Sequence, residues 1–160
     1  MMAMAATFSC APKNETPALI EKHDVAVVNG QFTPEIMHQM GKVSDPQYCA
    51  ATGKILYGVT YTSIELNKGN RELFVMNADG TGNHQITRSA GSKSNARWID
   101  GGRKIAYLHK GQLWVADAEG KGARQVSDVP GGIGEFKLSP DETRVLYVSD
   151  FKVAPRSGMS

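Results

Sequence analysis

Two stretches of this chain repeat each other in register, and a chain that encodes one short module twice is confined to architectures that stack copies of it. The run Glu72-Leu73-Phe74-Val75-Met76-Asn77-Ala78-Asp79-Gly80-Thr81-Gly82-Asn83-His84-Gln85-Ile86-Thr87 aligns with Gln112-Leu113-Trp114-Val115-Ala116-Asp117-Ala118-Glu119-Gly120-Lys121-Gly122-Ala123-Arg124-Gln125-Val126-Ser127. Leu, Val, Ala, both glycines and Gln recur, and most other positions are conservative. Each run reads as a strand, a tight turn and a second strand, with glycines supplying the positive φ the turn needs.

A second unit precedes each of these. Asp45 to Tyr57, Asn95 to Tyr107 and Glu135 to Tyr147 have equal length. Each carries a large apolar residue (Tyr48, Trp98 or Leu138) and then a polar turn. A basic residue (Lys54, Lys104 or Arg144) then opens an apolar strand that ends in Tyr. The second strands, Ile55-Leu56-Tyr57, Ile105-Ala106-Tyr107-Leu108 and Val145-Leu146-Tyr147-Val148, are apolar throughout, the pattern of strands covered on both faces.

Joining the two units gives four antiparallel strands per repeat of about forty residues, the content of a β-propeller blade. The predicted fold class is therefore all-β, a partial β-propeller over residues 32–160. Its blades fall at about residues 43–88 and 94–128, with the start of a third at about 133–151. The first period is longer because an insertion lies between Tyr61 and Arg71. Propellers close with about four to eight blades, and an incomplete ring leaves open edges. The expectation is a fragment of a larger propeller.

A short helix is predicted ahead of the blades. Thr33 can cap it, Pro34 suits its first turn, Ile36, Met37 and Met40 form an apolar face, and Gly41 stops it. Residues 1–31 read as a signal remnant and flexible tether, set aside from fold reasoning. Thr7-Phe8-Ser9-Cys10 resembles a loose bacterial lipoprotein cleavage box in which Cys10 carries lipid; the alternative, a disordered terminus with an incidental cysteine, stays open. The other cysteine, Cys49, reads as a small buried side chain, and two cysteines this far apart make no disulfide framework or zinc motif.

The residues point away from several kinds of chemistry. The net charge is +2, and no Lys/Arg cluster is interleaved with aromatics, so a nucleic-acid partner is not expected. No Gly-x-Ser-x-Gly elbow occurs, and Ser89-Ala90-Gly91-Ser92 reads as a loop between blades. His23, His38, His84 and His109 show no metal-ligand spacing. His84 occupies the slot of Arg124, a polar strand position, and His109 is expected in a hairpin turn. Gly131-Gly132-Ile133-Gly134 precedes a strand and lacks the Lys-Ser or Lys-Thr of a phosphate cradle. The expectation is no catalytic residue, no metal and no cofactor. The insertion is the one segment that breaks repeat economy. It reads either as an extended hairpin or as a contact loop presenting Tyr61, Glu65, Lys68 and Arg71 to a neighbouring domain or substrate.

The run Pro130-Gly131-Gly132-Ile133-Gly134-Glu135-Phe136-Lys137-Leu138-Ser139-Pro140-Asp141 resembles the Ser-Pro-Asp-Gly hairpins in propellers of the prolyl oligopeptidase family of serine peptidases. The opening from Phe32-Thr33-Pro34-Glu35 to Val43-Ser44-Asp45-Pro46-Gln47 is similar to that of bacterial acylaminoacyl-peptidase and dipeptidyl-peptidase relatives. The first blade departs from the pattern, with Cys49-Ala50-Ala51-Thr52 in the Ser-Pro-Asp-Gly slot. The resemblance implies an exported, periplasmic or secreted serine peptidase. Its propeller would cap a hydrolase domain that bears the nucleophile outside this chain and would restrict entry to small peptides. The implied partners are a peptide substrate reached through that domain, the remaining blades and a lipid anchor at the N-terminus. The Asn77-Ala78-Asp79-Gly80-Thr81-Gly82 turn is equally similar to the periplasmic propeller of the Tol system, which implies the alternative of a non-enzymatic propeller that binds a protein.

Overall fold

A computed structural model describes residues 19–27 and 29–151. Helix α1 (Pro34–Gln39) leads into a four-stranded antiparallel sheet of β1 (Lys42–Cys49), β2 (Lys54–Ser63), β3 (Lys68–Asn77) and β4 (His84–Gln85), in that order. A second sheet repeats the topology with β5 (Lys93–Ile99), β6 (Lys104–His109), β7 (Gln112–Asp117) and β8 (Arg124–Gln125). The hairpin of β9 (Glu135–Leu138) and β10 (Val145–Val148) begins a third unit. Two complete antiparallel blades and the first hairpin of another are thus present, the partial propeller the repeat predicts.

Backbone detail follows the repeat. β1 shifts register between Ser44 and Gln47, and β5 between Ser94 and Arg97. Within these bulges Asp45 has φ 49° and Asn95 has φ 51°. Asp and Asn are among the few residues that visit this region readily, which is why this pair recurs there. The turns match too: Asn77 N–H donates to the Thr81 carbonyl at 2.9 Å, and Asp117 N–H to the Lys121 carbonyl at 3.0 Å.

The sheets stack face to face. Leu56, Leu73, Val75 and Ile86 of the first bury against Ala96, Ile105, Tyr107 and Ala116 of the second, with Trp98 and Trp114 packed alongside. Ala106, Leu108 and Leu113 on the second sheet's other face meet Ile133 and Phe136 of the third unit. First strands are stitched directly: Trp98 Nε1 donates to the Gln47 carbonyl at 2.9 Å, and Asn95 Nδ2 to the Phe136 carbonyl at 3.0 Å.

Helix α1 forms where its capping residues place it, with Ile36 N–H donating to Thr33 Oγ1 at 3.4 Å. Its apolar face is not buried, however. Met37 and Met40 are exposed, and Met40 lies past the helix end in extended backbone. Residues 19–27 are not a free tether. Ile20 is buried with Tyr57, Val59 and Tyr61 on the first sheet's outer face, and Glu21 pairs with Arg88 at 2.5 Å. One apolar residue facing an otherwise bare sheet gains from being covered, and the sequence pattern around it is too short to signal that. Cys49 is a buried free thiol, and Cys10 lies outside the described residues.

Candidate functional site

Strand directions alternate, so the two ends of the stacked sheets differ. One end carries the start of β1 at Lys42, the β2–β3 turn and the crossover from β4 to β5; the other carries the turns at residues 50–53, 78–83, 100–103, 118–123 and 140–143. The latter turns contain no large apolar residue. At the Lys42 end Met37, Met40, Val43, Ile64 and Leu66 are all exposed. Exposed apolar groups gathered at one end make it the candidate contact surface.

The insertion is an extended hairpin. β2 and β3 are ten residues long where β6 and β7 are six, so the hairpin reaches further by roughly 14 Å at about 3.4 Å per residue. Its tip is held by Asn67 N–H donating to the Ile64 carbonyl at 3.1 Å and Leu66 N–H to Ser63 Oγ at 3.2 Å. Of the four residues expected to make contacts, only Glu65 and Lys68 stand exposed at the tip. Tyr61 is buried with Ile20 and Val59. Arg71 lies over Gly58 and donates to Asp45 Oδ2 at 2.5 Å. Both are therefore occupied within the first sheet. The exposed apolar pair Ile64 and Leu66, which sequence reasoning passed over, is the better candidate; two large aliphatics in a turn otherwise made of Ser, Glu, Asn and Lys were the available signal.

Behind this end lies a buried polar cluster, also missed from sequence. Lys93 Nζ sits 2.8 Å from Glu72 Oε1, with both side chains 2% exposed. Burial pushes the Lys93 ammonium pKa down, and Glu72 opposes that shift. Close by, His109 closes β6 instead of lying in the turn; it is buried, edge-on to Trp114 with ring centroids 5.4 Å apart, and desolvation lowers its pKa. Burial, with the charges of Lys93 and Lys110 adding to it, favours the neutral imidazole, and the Ser92 carbonyl and Glu72 oppose that. The loop at Ser89-Ala90-Gly91-Ser92 packs on this cluster through Gly91, where a Cβ would meet His109 Cε1 at 3.2 Å. Among the described residues, no group of three or more His, Cys, Asp or Glu converges on a metal position.

His84 stands at the outer seam between the sheets. Its Nδ1 lies 2.7 Å from the Gly82 carbonyl and its Nε2 lies 2.6 Å from Glu119 Oε2, so both ring nitrogens face acceptors and the geometry favours the imidazolium. The carbonyl and Glu119 raise its pKa; Lys54, which also pairs with Glu119 at 3.0 Å, opposes them. A raised folded-state pKa contributes stability that is fully present below the ordinary His value and fades as pH rises through the raised value. The His84 side chain is 46% exposed, so screening limits this to under about 1 kcal/mol. The His84 ring resonances should titrate above those of a model peptide, and Glu119→Gln should bring them down. An unshifted His84 titration in the parent chain would remove the pair.

No family model matches the chain. The chain is 30% identical over 129 residues to dipeptidyl-peptidase 5 of Porphyromonas endodontalis, which takes in 78% of this chain and 19% of that protein. Against dipeptidyl-peptidase 5 of Porphyromonas gingivalis the identity is 36% over 130 residues, 79% of this chain and again 19% of the relative. The chain thus spans about a fifth of the length of these curated relatives. Among solved structures, an acylaminoacyl peptidase of Pyrococcus horikoshii superposes with a TM-score of 0.61 at 21% identity, covering 78% of this chain and 20% of that one. That likeness concerns the fold. Taken with the aligned sequences and the stacked four-stranded blades, it places the chain in the prolyl oligopeptidase family of serine peptidases, as part of that family's β-propeller.

Proposed function

We propose that this chain serves as the propeller start of an exported serine peptidase, supporting a hydrolase domain outside it and limiting entry to small peptides. The observation that carries the reading is the identity to dipeptidyl-peptidase 5 across a stretch that folds as stacked blades. The Lys42 end, with Ile64 and Leu66 exposed beside Glu65 and Lys68, is the surface that would meet the hydrolase domain. The remaining blades would extend from the exposed strand β10 and close on the first sheet's outer face, where a groove of about 640 Å³ is lined by Met40, Val43, Tyr57, Tyr61 and Phe74. Export, with lipid on Cys10, rests on the small apolar N-terminal run alone, and loss of lipid labelling in Cys10→Ala is its test.

The chain ending at Ser160 should hydrolyse no dipeptidyl substrate by itself. Extending the coding sequence to include a downstream hydrolase domain should confer hydrolysis, and Ile64→Glu with Leu66→Glu should then lower it at least several-fold by loosening the contact. Hydrolysis by the chain alone would overturn the reading. So would a coding sequence that continues through further blades to a stop, which would favour a protein-binding propeller.

A further inference from the structure

The repeat builds the same side-chain latch twice, once neutral and once charged. In the second blade Gln112 Oε1 accepts from Ser127 Oγ at 2.7 Å and from Val129 N–H at 3.0 Å, while Gln112 Nε2 donates to the Val129 carbonyl at 3.0 Å. In the first blade Glu72 fills the slot of Gln112. Its Oε2 accepts from Thr87 Oγ1 at 2.6 Å, and its Oε1 from Ser89 N–H at 3.1 Å. Both hydroxyls also accept the next backbone N–H: Leu73 to Thr87 Oγ1 at 2.9 Å and Leu113 to Ser127 Oγ at 2.8 Å.

One bond cannot be copied. A carboxylate has no hydrogen to give the Ser89 carbonyl. The first blade imports a donor: Lys93, at the head of β5, places Nζ 2.5 Å from the Ser89 carbonyl and 2.8 Å from Glu72 Oε1. Asn70 Nδ2, from within the first blade, adds a bond to Glu72 Oε1 at 2.8 Å and a longer one to the Ser89 carbonyl at 3.4 Å, so the close donor to that carbonyl is Lys93. In the next repeat the slot of Lys93 is held by Ile133, which is buried with Leu108, Leu113 and Phe136. A carboxylate with an ammonium in one blade thus does the work of an amide with an alkyl group in the other.

We propose that Glu72 and Lys93 form an address that specifies which strand follows the first blade. The blades are near copies, and near copies invite exchange and misassembly. A blade closed by Glu72 accepts only a following strand that brings an ammonium, and a strand headed by Lys93 is accepted only by a blade that offers a carboxylate. Either wrong pairing leaves an uncompensated charge in a site that is 2% exposed.

The test transplants one latch into the other in the full chain. Glu72→Gln alone and Lys93→Ile alone should each lower the folding equilibrium constant by on the order of a hundred-fold or more, since each leaves one buried charge unpaired. The two together recreate the Gln112 and Ile133 arrangement and should recover most of the loss, read from urea transitions. The address then predicts a second result: the double variant, with two interchangeable neutral latches, refolds from urea with a smaller monomeric fraction and more exchanged oligomer on size exclusion. The reciprocal pair, Gln112→Glu with Ile133→Lys, should likewise recover most of the loss that each of its singles causes. Double variants as destabilised as the summed singles would show that the latches are not equivalent. A double variant that refolds to the parent's monomeric fraction would show that the pair is no address.

Discussion

Gly120→Ala lowers stability by roughly 3–5 kcal/mol, while Gly80→Ala, the same change in the same turn one blade earlier, lowers it by about 1–2 kcal/mol. Both glycines hold the left-handed conformation, with φ 75° at Gly120 and 86° at Gly80, and both donate to a residue that opens the turn, Asp117 or Asn77. The backbone strain of adding a Cβ is therefore shared. Their surroundings are not. A Cβ on Gly80 meets nothing within 4 Å, whereas one on Gly120 would clash severely with the Ile86 carbonyl oxygen. Ile86 belongs to the core between the two sheets, and Glu119, next to Gly120, reaches back to Lys54 and His84. The second blade's turn is seated directly on the outer strand of the first, and a methyl group there must push the blades apart. Urea midpoints of the two variants measure the difference. Equal losses would mean that Gly120 is required for its own turn only and that the seam is looser than described.

The repeat made the blades legible because their strands take their character from local chemistry: β-branched and aromatic runs, Gly turns and the apolar stretches that end in Tyr57, Tyr107 and Tyr147. What stayed hidden depends on partners distant in sequence. Tyr61 and Arg71 stand where the insertion breaks the repeat, which suggested exposed contacts. Their burial follows from Ile20 and Asp45, residues brought to the hairpin only by folding. His109 sits beside a Lys-Gly turn and reads as part of it, yet the neighbouring crossover loop covers it. Glu72 and Lys93 were visible only as two departures from the repeat, Glu for Gln and Lys for Ile. Neither departure has meaning until β5 is laid beside the first sheet. The bulges had a faint signal, Asp45 and Asn95 at matching positions, because an Asx residue opening a strand is as common in a turn as in a bulge.

Stacking also sets what a core substitution costs, and the slot shared by Ile105 and Val145 measures it. Each is the residue after the basic position that opens the second strand of its unit, so local sequence and strand geometry are alike. Ile105 is 0% exposed, enclosed by Leu56, Leu73 and Val75 of the first blade and by Ala116 and Tyr107 of its own. Val145 is 41% exposed, and among the described residues its strand pairs with β9 alone. Ile105→Ala leaves a cavity between two sheets that cannot both collapse onto it, and it should cost about 2–5 kcal/mol. Val145→Ala gives up a half-covered group and should cost under about 1 kcal/mol. In a stack where each blade touches only its neighbours, the Ile105 loss falls on the interface between the first two blades. Amides of β2 and β6 should therefore lose hydrogen-exchange protection together in Ile105→Ala and keep it in Val145→Ala. If β6 alone were affected, the blades would be independent sheets lying side by side, and the face-to-face core would not be what holds them.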